Sequence, residues 1–233
     1  MSKDVCSRLP NIALMNSTTG IYTLVEDLKV TVVDYDSGNL RSVSNALKAL
    51  GIKPNITNVP TDILSSDAVI LPGVGSGATA MKALRRRQLV DTLREYAAMD
   101  RPFMGVCLGL QLLMDSTEEG NAQCLGIVPG TVKSLPPSLK VPHMGWNSIT
   151  PITQHSILDG IPPGSYFYFV HSYYATPEDQ GAVVSFTEHG INFCSILSSK
   201  KIIATQFHPE KSGPLGLMIY ANFLKGVRQN GGS

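Results

Sequence analysis

The feature that most constrains this chain is an order repeated across residues 29 to 115: a short apolar run, a small or polar turn, then apolar residues at helical spacing. KVTVVDY reads as a buried strand, and the turn Asp36-Ser37-Gly38-Asn39 leads into Val43, Ala46, Leu47 and Leu50 on one helix face, with Gly51 placed to end the helix. A second strand is predicted around residues 52 to 58 and a third in DAVILP, and Met81, Leu84 and Leu93 mark one helix before Pro102. PFMGV then gives a strand and LGLQLLMD a helix. Buried strands that alternate with helices predict a mostly parallel sheet covered on both faces. In such sheets functional groups gather at the carboxyl ends of the strands.

From Thr131 the pattern changes. TVKSL, GWNSITPI, YFYFVHSYY, AVVSFTE, INFCSIL and KIIATQF are separated by turn residues and predict antiparallel strands or hairpins, and a last amphipathic helix carries Leu217, Ala221 and Leu224. A chain of 233 residues, 43% hydrophobic and 16% charged, fits one large α/β domain. The expected division is an N-terminal extension over residues 1–28, disordered or loosely packed, a domain over 29–228 and a flexible tail over 229–233. Formal net charge is +1, and the dense basic run Arg85, Arg86, Arg87 falls in a predicted helix as a solvated face, so no nucleic-acid partner is expected. The four cysteines are scattered without CxxC spacing, which argues against a metal site or disulfide framework and for a reducing cytoplasm. No apolar run reaches the roughly 18 residues of a spanning helix, and the first residues lack signal-peptide order, so no membrane association is expected.

Three motifs sit at predicted strand ends. In Gly105-Val106-Cys107-Leu108-Gly109 small neighbours let the backbone bend sharply and expose a cysteine at a helix N-terminus, where the dipole and free N–H groups favour a thiolate. Buried cysteines more often act as small hydrophobes, and that is the reading for Cys124 and Cys194. Gln206-Phe207-His208-Pro209-Glu210 follows the strand KIIAT: His208 can take and return the thiol proton, and Glu210 can orient the imidazole. Leu71-Pro72-Gly73-Val74-Gly75 is either a tight turn or half of an oxyanion hole whose glycines turn N–H groups toward developing charge.

GVCLGLQLL followed much later by QFHPEKSG resembles the signature pair of class I glutamine amidotransferases, whose triad is Cys, His and Glu. That resemblance implies an α/β, flavodoxin-like, mostly parallel central sheet flanked by helices, with additional antiparallel strands in the C-terminal half. Within the family, DYDSGNLRSV, LPGVG, KVPHMGWN and YFVHSYY resemble the glutaminase subunit of imidazole glycerol phosphate synthase. The resemblance implies catalysis by Cys107, His208 and Glu210, with an oxyanion hole from Gly73, Val74, Gly75 and the Leu108 amide. It places L-glutamine against Gln111 and the Ser172-Tyr173 backbone, with no cofactor and no metal. It further implies a heterodimer with a separate (β/α)8-barrel cyclase, met near Asn39, Trp146 and Lys211, that uses the ammonia to convert PRFAR to imidazole glycerol phosphate and AICAR in histidine biosynthesis. Two departures stand out: Ser76-Gly77-Ala78-Thr79 lacks the larger apolar residue common in relatives, and residues 1–28 have no counterpart.

Two other readings compete. A cysteine hydrolase of peptidase or deglycase type also carries an elbow cysteine on a parallel strand, but the distant His-Pro-Glu argues against it. A degenerate scaffold that only binds a partner would not need all three triad residue types.

Overall fold

The computed structural model describes residues 28–36 and 38–229. The expected extension and tail therefore lie, apart from residues 28 and 229, outside the described residues. In chain order the first half forms β1 (Val30–Val33), α1 (Leu40–Ala49), β2 (Asn55–Thr57), α2 (Pro60–Leu64), β3 (Ala68–Leu71), α3 (Gly77–Arg86), α4 (Leu89–Ala98), β4 (Phe103–Val106) and α5 (Leu108–Leu112). The second half forms β5 (Ser116–Thr117), β6 (Ala122–Gln123), β7 (Gly130–Ser134), β8 (His143–Ser148), β9 (Thr150–Pro151), β10 (Tyr166–His171), β11 (Tyr173–Pro177), β12 (Val183–Glu188), β13 (Asn192–Ser199), β14 (Ile202–Thr205) and α6 (Gly213–Gln229).

An eight-stranded sheet in the order β2-β1-β3-β4-β14-β13-β12-β9 is the backbone of the molecule. Its first five strands are parallel, and β13, β12 and β9 continue it antiparallel. Every residue of β1, β3 and β4 is buried, as two-sided coverage demands. Alternation along these strands divides the core. Val69, Leu71 and Phe103 pack with Met81, Leu84 and Leu93 of α3 and α4, whereas Ile70, Met104 and Val106 pack with Leu47, Ile219 and Phe223 of α1 and α6. Each such side chain, withdrawn from water, contributes about 1.5–3 kcal/mol.

Several elements differ from the sequence reading. The single helix marked by Met81, Leu84 and Leu93 is two, because Gln88 adopts a left-handed conformation at φ 56°. One helix over residues 77–98 would run about 33 Å, whereas the four-residue strands beneath it span only about 13 Å; the turn lets both halves cover the sheet. LGLQLLMD is helical only through Leu112. YFYFVHSYY is not one strand: β10 pairs with β8, and after Ser172 the chain bends so that β11 pairs with β7. The basic run is not a merely solvated face, since Arg86 and Arg87 both pair with Asp36 and Arg85 donates to the Gln123 carbonyl. The short elements α2, β5 and β6 carry too few residues to show a period. Among the described residues no helix is long and apolar enough to cross a membrane.

Candidate active site

Adjacent parallel strands bring the motifs together. Val106 of β4 is in register with Thr205 of β14, and the Cys107 N–H donates to the Thr205 carbonyl at 2.7 Å, so the residues that leave these two strands share one sheet edge. On the other side β3 pairs with β4 through Leu71 and Gly105, which brings Pro72-Gly73 beside the cysteine. The bend at Cys107 is sharp, with φ 53° and ψ −106°, a conformation a non-glycine residue holds only under constraint. Gly109 supplies part of that constraint. A β-carbon there would stand 1.9 Å from the Leu71 carbonyl oxygen, so α5 packs against β3 more closely than any side chain permits.

The His208 and Glu210 side chains are fully buried, with His208 Nδ1 2.7 Å from Glu210 Oε1. The loop that carries them is stitched to β10: the His208 N–H donates to the Tyr168 carbonyl, and Ser212 Oγ both donates to the His208 carbonyl and accepts from the Tyr168 N–H. Glu210 also accepts from Asn39 Nδ2 at Oε1 and from the Tyr220 hydroxyl at Oε2, 3.4 Å away. Burial alone would raise the Glu210 pKa, but its contacts to His208 and Asn39 leave it lowered, so the group is a carboxylate. For His208 burial acts to lower the pKa, yet the charge of a Cys107 thiolate and the Glu210 carboxylate outweigh it and hold it raised, at about 10. The opposite ring nitrogen, Nε2, is buried and interacts with the Cys107 sulfur without closing a hydrogen bond of regular geometry.

Cys107 is 5% exposed and opens onto a cavity of about 220 Å³ lined by Val74, Gly75, Leu108, Gln111, Ser172, Tyr173 and His208 among others. Three of the four oxyanion candidates thus line the cavity wall: Val74, Gly75, whose φ is +93°, and Leu108, the first residue of α5, where an N–H has no intrahelical acceptor. Gly73 lies behind them, close under Tyr35 and Leu108. A larger cavity, about 370 Å³, shares Val74 and Gly75 but touches none of the triad, so the smaller one is where the chemistry can occur. The bland reading of Cys124 and Cys194 holds. Burial pushes their thiols up, to about 11 and about 12.

Gln111 is 6% exposed and donates to the Tyr173 carbonyl at 2.7 Å and to Gln206 Oε1 at 3.2 Å. Gln206 in turn points Nε2 at the Cys107 sulfur, 3.7 Å away. Sequence reasoning missed Gln206 as a participant, although it stands two residues before His208. It also missed Glu119, whose carboxylate lines the cavity while accepting from the Gly77 N–H. Asn39, expected near a partner face, is 6% exposed and its amide is engaged by Glu210, so the structure gives the side chain an internal task. Trp146 is 57% exposed on β8 and meets the Tyr168 ring edge-on, while Lys211 Nζ stands 5.9 Å above the same ring. Among the described residues no group of three or more His, Cys, Asp or Glu is arranged to hold a metal ion.

The arrangement sets a cysteine sulfur and an oriented imidazole at one cavity, the parts needed to attack a carbonyl and pass a proton. The family model of class-I glutamine amidotransferases matches residues 31–227. A curated relative from Dehalococcoides mccartyi, named imidazole glycerol phosphate synthase subunit HisH, is 51% identical over 84% of this chain and 96% of its own length. A relative of the same name from Moorella thermoacetica is 44% identical over 87% and 97%. Among solved structures, PurLQS from Thermotoga maritima matches with a TM-score of 0.67 at 19% identity over 86% of this chain and 99% of that chain. A putative GMP synthase subunit from Thermoplasma acidophilum gives 0.66 at 19% identity over 87% and 94%. These two likenesses speak for the fold.

Proposed function

The chain belongs to the class-I glutamine amidotransferase family, and from that premise we propose that it is the glutaminase subunit of an imidazole glycerol phosphate synthase, with Cys107, His208 and Glu210 as its catalytic residues. One observation carries the assignment of roles. A buried His208–Glu210 pair at 2.7 Å leaves Nε2 facing the sulfur of a cysteine held on a strained elbow.

The Cys107 thiolate adds to the side-chain amide carbon of glutamine, and the oxygen's charge falls on the Leu108 amide and the Gly73-Val74-Gly75 backbone. His208 gives its Nε2 proton to the amide nitrogen, the C–N bond breaks, and ammonia leaves a glutamyl thioester. Water then adds to the thioester as His208 takes its proton. The C–S bond breaks and glutamate departs. Glu210 keeps a hydrogen on Nδ1 throughout and stabilises the imidazolium. Gln111 and the Ser172-Tyr173 backbone line the cavity where the amino-acid end of glutamine binds, and the Glu119 carboxylate on the same wall suits its ammonium group.

Ammonia serves a partner, a (β/α)8-barrel cyclase that converts PRFAR to imidazole glycerol phosphate and AICAR. The outward side of the β8–β10 ribbon suits it. Met144, Trp146 and Tyr166 are 61, 57 and 58% exposed there, an unusual density of large apolar side chains in contact with water. Lys211 adds a charge at the edge of this face. In this reading residues 29–228 form the amidotransferase domain, 1–28 an extension and 229–233 a tail, and the protein works in the cytoplasm. A glutaminase assay of the wild type and Cys107→Ala, each with and without the cyclase, tests it. Wild type should turn over glutamine and the variant should not; a variant as active as wild type ends the thiol mechanism.

A further inference from the structure

Two buried histidines that the mechanism above does not use stand directly opposite each other on β8 and β10. His143 and His171 are 5% and 6% exposed, with His143 Nδ1 2.9 Å from His171 Nε2. Their protonation states follow from what lies at each end. His171 Nδ1 is 2.9 Å from the Tyr173 carbonyl, which can only accept, so Nδ1 carries the hydrogen. His143 Nε2 is 3.2 Å from Asn147 Nδ2. The orientation of that amide is set twice: Nδ2 donates to the Glu188 carbonyl at 2.9 Å, and Oδ1 accepts the Ser148 N–H at 2.8 Å. Asn147 therefore offers a donor, His143 Nε2 must accept, and the hydrogen of His143 lies on Nδ1, aimed at His171 Nε2. The result is a directed chain from Asn147 through His143 and His171 to the Tyr173 carbonyl.

That carbonyl is also the acceptor for Gln111 Nε2 at 2.7 Å, and Gln111, His171, Ser172 and Tyr173 all line the cavity beside Cys107. The chain crosses the bend at Ser172 between β10 and β11, so it adds a side-chain tie to a turn whose backbone is held by the Leu135 N–H on the Ser172 carbonyl. We propose that His143 and His171 are positioning residues for glutamine: uncharged and in the Nδ1–H form, they fix the Tyr173 carbonyl and through it Gln111. This deepens the glutaminase reading and rests on it.

A proton added to either ring would set donor against donor, at His143 Nε2 against Asn147 or at His171 Nε2 against His143. The surroundings oppose it as well. Burial, then His189 stacked on the ring at 4.2 Å, lowers His143 to about 4; burial, then His143, lowers His171 to about 3, with His189 and His208 acting in the same direction.

Two measurements test the proposal. In two-bond proton–nitrogen correlation spectra of the full chain labelled with 15N-histidine, both residues should show the Nδ1–H tautomer and stay uncharged from pH 7 down to pH 5; an Nε2–H tautomer at either, or a cation at pH 7, overturns it. In the complex with the cyclase, His143→Leu should raise KM for glutamine about tenfold, the worth of one hydrogen bond, with kcat within about threefold. His143→Asn, whose Nδ2–H stands where the ring Nδ1–H was, should recover most of that loss. An unchanged KM in a folded His143→Leu also overturns the proposal, and if that variant does not fold, the wild-type spectra decide. Failure of the glutaminase reading looks different: a wild-type complex that turns over no glutamine although both tautomers are as expected.

Discussion

Asn39 Nδ2 and His208 Nδ1 converge on the same oxygen of Glu210, Oε1, although residues 39 and 210 are far apart in the chain. Two donors on one oxygen fix which way that end of the side chain must face. Glu210→Gln can keep a carbonyl oxygen there, so His208 should retain its tautomer and lose chiefly the neighbouring charge. We expect kcat to fall about 10- to 100-fold, less than the ~10⁴ seen where a comparable change reverses the tautomer. The His208 pKa should fall as well, moving the corresponding limb of the kcat–pH profile to lower pH. A loss approaching 10⁴ would show that the ring had turned over.

Asn39→Asp sets a second carboxylate against Glu210. One of the pair must then bind a proton, because two buried like charges cannot share a site. Glutamine turnover should drop at pH 8 and recover in part toward pH 6, whereas Asn39→Ala should show a loss with no such recovery. Parallel pH profiles of the two variants would exclude the charge argument.

Stability should peak near neutral pH. His208 has its pKa raised from 6.5 to about 10, so its contribution is complete below about pH 6.5, declines above it and is gone once pH passes about 10. His143 and His171 are lowered from 6.5 to about 4 and about 3, so theirs is complete above about pH 6.5 and is lost as pH falls through those values. The lowered Glu210 pKa adds to the acid loss. Urea midpoints measured from pH 4 to pH 10 should fall on both sides. The alkaline fall should be shallower in Cys107→Ala, because the thiolate is the largest influence that raises His208. An equal slope in that variant would mean the sulfur and imidazole are not coupled.

Gly109→Ala should destabilise by about 3 kcal/mol or more, since the added carbon would overlap the Leu71 carbonyl and drive α5, with Cys107 at its start, away from β3. For a domain of this size that is a fall in Tm of about 6–12 °C, accompanied by lost glutaminase activity. Gly226→Ala, in α6 with open space around the position, should leave Tm unchanged or slightly raised.

The parallel half of the fold was legible because β1, β3 and β4 are apolar but for Thr31 and each is followed by turn residues and a helical stripe. Cys107, His208 and Glu210 could be singled out as candidates for the same reason: their motifs end recognisable strands. What stayed hidden depends on contacts between distant residues. Nothing local to Asn39 announces Glu210, and nothing in KVPHMGWN announces that His143 faces His171 rather than water. The break within YFYFVHSYY was invisible because both halves are good strand sequence, and only pairing with β8 and then β7 separates them. Gln88 gave no warning either, being neither glycine nor asparagine at a left-handed position.

Trp146 tests where the partner docks. Its ring is more than half exposed, touches Tyr168 at its edge and contributes little to the core, so Trp146→Ala should shift Tm by no more than about 2 °C. Buried at the centre of an interface, the same ring would be worth about 2 kcal/mol or more, a loss of about 30-fold in affinity for the proposed cyclase partner. Trp146 does not line the cavity beside Cys107 and His208, so glutaminase activity in the complex should return to near wild type once the proposed cyclase is supplied in excess. Binding measured by titration calorimetry separates the cases. Weakened association with intact Tm places the cyclase on the Met144–Trp146 face, and unchanged affinity moves it elsewhere.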